Sequence, residues 1–140
     1  MPIHHEIDRE RCLIRTTCTG AVSLDEVSQH FRALEGERDL PGPLDVLLDL
    51  SALTSVPDAS QIQLIAAEIG RLLGKLRWGI CAIVATRDLI FGVSRVLEVR
   101  AEESFAASQV FREPAAADAW LVSERSRRSR LSLPERGSAT

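Results

Sequence analysis

The 140-residue chain has no tyrosine, and its aromatics amount to two tryptophans and four phenylalanines. So sparse a set argues against a base-stacking nucleic-acid platform. It also means that any core is built from Leu, Ile, Val and Ala. There are three cysteines, Cys12, Cys18 and Cys81, with no CxxC pair. Cys12 and Cys18 fall in a segment that reads as one strand, about 20 Å apart at 3.3 Å per residue. A disulfide needs Cα atoms within about 7 Å, so free thiols in a reducing cytoplasm are expected. No apolar run approaches the roughly 18 residues of a membrane span, and no basic-then-apolar leader pattern opens the chain. A cytoplasmic protein is the expectation.

What is present suits one domain. Hydrophobic residues make up 45% and charged residues 26%, enough for a core without disulfides or metals. The net charge of -3 conceals an asymmetry. From Glu124 to Thr140, five arginines against two glutamates leave +3; in the rest, 12 basic against 18 acidic residues leave -6. The acidic body disfavours nucleic acid as a partner. The Ser- and Arg-rich end, 124–140, reads as a flexible solubilising tail after a domain spanning 1–123.

Hydrophobic periodicity gives the order ββαβαβαβα. "IHHEID" and "CLIRTTCTG" alternate as strands around the polar turn Asp8–Arg11, a hairpin pattern that Gly20 ends. "SLDEVSQHFRAL" is a helix in which Ser23 and Glu26 form a capping box and Val27, Phe31 and Leu34 face inward. "LDVLLDL" suits a buried strand. A second helix carries Ile62, Ile65, Ala66, Ile69, Leu72, Leu73 and Leu76 on one broad face. "WGICAIVA" is expected at the sheet centre. A third helix follows Asp88, with Phe91, Val96 and Val99 as packing residues, and "SQVFRE" is a short strand. Pro114 opens a last helix in which Ala116, Ala119 and Trp120 lie. Alternating βα units imply a mainly parallel five-stranded α/β sheet with helices on its faces and the hairpin as an antiparallel edge.

Two segments resemble a known group. "LLDLSALTSVPDASQIQLI" is similar to the signature of STAS domains, and "FGVSRV" (91–96) matches an "fG.aRm"-like segment of the SpoIIAA-like (STAS/SEC14-type) family of small bacterial proteins. The likeness spans Pro2 to about Leu121. It implies a STAS-type fold and a regulatory, non-enzymatic role like that of anti-sigma-factor antagonists. In those proteins the serine directly after the Asp is phosphorylated. Here Asp58 is followed by Ala59, and the hydroxyl falls one residue later, on Ser60. Ser60 is a capping or first-turn residue, or a phosphosite favoured by free N–H groups at the helix start.

Other chemistry is weaker. Gly92-x-Ser94 lacks the second glycine of a nucleophile elbow, and the histidines, His4, His5 and His30, lie far off in sequence. A serine hydrolase is therefore a distant third reading. Gly92 is expected to let the third helix approach its neighbour closely. His4 and His5 point to opposite faces of a strand and cannot share an ion; no metal or other cofactor is expected. Asp49, at a strand end, together with Ser51, Asp58, Ser60, Arg87, Asp88, Phe91 and Arg95, marks a candidate ligand or partner surface at the C-terminal end of the sheet. Arg95 lines that crevice or pairs with Asp88 or Glu98; the ion pair is favoured. Excess apolar helix surface suggests a homodimer face or a cavity for a small apolar ligand. The leading expectation is a protein-interaction module that also binds itself. A carrier or sensor of a small apolar or anionic ligand is the alternative.

Overall fold

The structure, a computed structural model, describes residues 3–37, 43–54, 60–61, 63–64, 67, 70–71, 78–102 and 105–138. Five strands form one sheet in the order β1 (Ile3–Asp8), β2 (Leu13–Gly20), β3 (Leu44–Leu53), β4 (Trp78–Val84), β5 (Ala107–Phe111). β1 pairs antiparallel with β2, and every later pairing is parallel. The expected α/β sheet with its N-terminal hairpin is therefore present. β3 is the middle strand, where the sequence points to β4. The misreading has a physical source: β4 is the strand most completely covered, with Ile80 to Val84 all buried between helices on both faces.

In the hairpin turn the Asp8 carboxylate accepts the Arg11 N–H at 3.1 Å, a local bond that competes well with strand extension. Cys12 closes the turn at φ 53° and is not part of β2. All three cysteines are free.

Helix α1 (Leu24–Gly36) starts at the capping box anticipated from Ser23 and Glu26, with both reciprocal bonds formed. Leu34 is buried and Val27 packs on the core, while the Phe31 side chain lies outside the described residues. The described residues between 60 and 71 are helical, and Arg71 pairs with Glu35 of α1 at 2.7 Å. The apolar face expected from Ile62 to Leu76 falls outside the described residues.

Helix α2 (Asp88–Ala101) lies on the same side of the sheet as α1, burying Ile90 with Leu50, Ile83 and Val110. Val99 is exposed, contrary to the packing role expected of it. Gly92 is also exposed, and a Cβ there would meet nothing within 4 Å, so it permits no close helix approach.

Helix α3 (Pro114–Ser138) covers the opposite side through Ala117 and Leu121, with Trp120 5.6 Å from Phe111. Ala116 and Ala119 face solvent. α3 continues across the expected 123/124 boundary. Just past that boundary Arg125 reaches Asp45 at 3.3 Å and the Arg11 carbonyl, while Arg127 pairs with Glu124 at 2.9 Å within the helix. No described helix is long and apolar enough to cross a membrane.

Candidate functional site

Two aspartates of "LDVLLDL" occupy irregularities in the sheet. Leu44 faces Trp78 while Val46 faces Cys81, so β4 carries one extra residue. A bulge displaces a backbone N–H from the ladder. Here Asp45 Oδ1 accepts the Ile80 N–H at 2.9 Å. Burial pushes the Asp45 carboxyl above the usual carboxylate range, and the Ile80 bond and Arg125 oppose that push.

The second bulge lies between β2 and β3, where Thr17 faces Asp49 and Thr19 faces Ala52. Asp49 Oδ1 accepts the N–H of Ser51 at 2.9 Å and its hydroxyl at 2.6 Å. Asp49 thus does not end its strand. β3 runs to Leu53, and Asp49 stands opposite Val84, the last residue of β4. Its carboxylate holds a bulge together.

From Ser51 a polar line crosses the strand ends. Thr86 donates to the Ser51 carbonyl at 3.5 Å, and Arg112 donates to the Thr86 carbonyl at 3.5 Å. Arg112 also pairs with Asp88 at 2.5 Å, and its guanidinium lies 4.0 Å from the centroid of the Phe91 ring. A cation over an aromatic face is attracted by the ring quadrupole. Phe91 is half-buried on the core, so the ring under Arg112 is anchored, while Arg112 and Asp88 are exposed.

The structure therefore joins Asp49, Ser51, Asp88 and Phe91 of the expected set through Thr86 and Arg112. Arg87 is exposed beside them. Ser60 is an exposed helical residue; Asp58 and Ala59 lie outside the described residues. Arg95 is not in the cluster. It pairs with Glu98 at 3.5 Å, one of the two partners anticipated for it. Glu98 in turn accepts the Val110 N–H at 2.7 Å, so this pair is committed to the edge of β5.

Arg112 is the residue that sequence reasoning missed. It hid inside the expected strand "SQVFRE", whereas β5 ends at Phe111. A charge directly after a buried β-aromatic run was the available signal.

Ser94 is fully buried, and its hydroxyl donates to the Ile90 carbonyl one turn back at 2.8 Å. Burial, with Asp49 nearby, raises the Cys18 thiol to about 11; burial, with Glu98 nearby, raises Cys81 to about 12. Both sulfurs are therefore protonated and poor nucleophiles at neutral pH. His4 pairs with Glu6 at 3.5 Å, and His5 meets His30 edge-on at 5.0 Å. Among the described residues, no group of three or more His, Cys, Asp or Glu could hold a metal ion.

No family model and no curated protein matches the chain. Among solved structures, it is similar to the crystal structure of an uncharacterized protein of the DUF3478 family from Shewanella loihica PV-4, which has a SpoIIAA-like fold. The TM-score is 0.52 at 18% identity, over 85% of this chain and 91% of that one. With the strand order and helix layers described above, this similarity shows that the chain has a SpoIIAA-like α/β fold.

Proposed function

We propose that the chain is a non-enzymatic regulatory module that binds another protein at the C-terminal ends of β3, β4 and β5, in the cytoplasm. The observation supporting this reading is the Phe91–Arg112–Asp88 cluster. Arginine and large aromatics carry a disproportionate share of interface energy. A guanidinium already stacked and paired loses little further freedom when a partner covers it. The neighbouring polar groups are committed elsewhere: Asp49 to the β3 bulge, Ser94 to the Ile90 carbonyl, Glu98 to β5. That commitment favours docking over catalysis. The anti-sigma-antagonist resemblance points to the same class. With Ala59 at the acceptor position, the module works without the usual phosphorylation switch.

The test uses the purified chain and its Arg112→Glu variant as baits in lysate of the native host, read by quantitative mass spectrometry. A defined protein enriched by the wild type and lost from the variant is expected. In titration with that purified partner, the variant's Kd rises at least about tenfold, as for an interface hot spot. Identical captures by both baits, or none, would sink the reading.

A further inference from the structure

The two edges of the sheet are treated differently. At the β5 edge, the Val110 N–H is capped by the buried carboxylate of Glu98. At the other edge, β1 ends the strand order, and no described strand pairs with its outer side. An open edge invites another chain unless a bulge, a proline, charged side chains or a covering segment blocks it. Ile3–Asp8 has no bulge, proline or lysine, and its charges are the carboxylates Glu6 and Asp8. Its pairing with β2 is unbroken from Ile3 to Asp8, and the segment reads IHHEID.

That segment is self-complementary. When two copies of an edge strand pair antiparallel about a two-fold axis, the axis is perpendicular to the sheet and each face stays on its own side. Residues then meet partners of the same parity. Centring on His4 leaves only Ile3 to His5 paired within β1. Centring on Glu6 sets Glu6 against its own copy, a directly opposed like pair. Centring on His5 pairs Ile3 to Ile7 in full: Ile3 meets Ile7 twice on the α1 face, His5 meets its own copy at the axis as an imidazole pair rather than a carboxylate pair, and His4 meets Glu6 twice on the other face. In the single chain His4 and Glu6 are largely exposed and already 3.5 Å apart. Joining two copies converts these pairs into one alternating four-residue cluster.

We infer that β1 is a self-association edge, on which a second copy of this chain pairs antiparallel in the register centred on His5. The two sheets become one continuous sheet across the dimer. The only contact required is a short strand, so the dimer is weak and sensitive to salt. This surface is independent of the strand-end cluster. It also differs from the apolar helix faces that the sequence suggests for self-association.

The register is tested by a charge swap. His4→Glu sets a new carboxylate against Glu6 of the second copy. Glu6→Lys sets a new ammonium against its His4. Each variant alone thus replaces both His4–Glu6 pairings, with opposed carboxylates in the first and an ammonium against an imidazole in the second. Mixed one to one, the two variants restore attraction at both pairings. The carboxylate introduced at position 4 meets the ammonium introduced at position 6, and the native Glu6 meets the native His4. Sedimentation velocity over about 1–300 µM is expected to show self-association of the wild type. Each single variant should have a Kd raised about tenfold or more, with recovery on mixing, while circular dichroism confirms folding of both. The alternate amides of Ile3–Ile7 that point away from β2 should gain hydrogen-exchange protection as concentration rises. A wild type that is monomeric throughout overturns the inference, as do variants that associate like the wild type or a mixture that stays dissociated.

Discussion

The Glu98 carboxylate accepts the Val110 N–H at 2.7 Å, so a buried side chain of α2 caps one backbone donor of β5. Ser108 adds a hydroxyl bond to the Glu98 carbonyl at 3.2 Å. The helix therefore covers part of this edge with side-chain bonds.

Glu98→Ala leaves the Val110 N–H unsatisfied in a buried place. A lost bond to a charged group costs about 1.5–3 kcal/mol, so urea unfolding should show a loss of about 2 kcal/mol. Glu98→Gln keeps an acceptor oxygen and should lose about half as much. Equal stabilities for the alanine variant and the wild type would show that the bond contributes nothing.

Gly79 lies where a Cβ would collide with Asp45 Oδ1. The carboxylate cannot easily retreat, because Ile80 and Arg125 hold its two oxygens. Gly79→Ala should therefore cost about 1–3 kcal/mol, the usual range for overpacking. In an Asp45→Ala background the obstacle is gone, and the same substitution should cost much less. A double-mutant cycle by denaturant titration measures the difference; additive effects would separate Gly79 from Asp45.

These cases show where the sequence was readable. The capping box, the hairpin and the βα alternation rest on local spacing, and each was recovered. The chain also shows two aspartates in "LDVLLDL", but not that each would satisfy a bulge. Bulges depend on the register between strands far apart in sequence, as Asp45 and Ile80 are. Arg112 was missed for the same reason: its partners, Asp88 and Phe91, come from α2, more than twenty residues earlier. Gly92 misled because a glycine looks the same in open solvent as at a tight contact.

Burial, with His5 alongside, lowers the His30 imidazole to about 4 from its ordinary 6.5. A base with a depressed folded pKa takes up protons more readily when unfolded. Its contribution is thus complete above pH 6.5 and is lost as pH falls toward 4. At about 1.4 kcal/mol per pH unit, damped by water reaching the half-buried ring, the loss is about 2 kcal/mol. Urea midpoints between pH 7.5 and 4.5 should fall more steeply for the wild type than for His30→Gln. Parallel slopes would contradict a buried neutral His30.

Ser94 offers the sharpest test against a hydrolase. Its hydroxyl is fully buried and donates to the Ile90 carbonyl, so it neither faces solvent nor has a free proton for a base. A fluorophosphonate probe should leave the folded chain unlabelled. Ser94→Ala removes a bond that competes with the helix's own ladder and substitutes a better helix former. The Ile90 carbonyl keeps access to its helical N–H partner, so the stability change should stay within about 1 kcal/mol. Covalent labelling at Ser94 in the native state would require the α2 turn to open and would overturn its assignment as a packed helix residue.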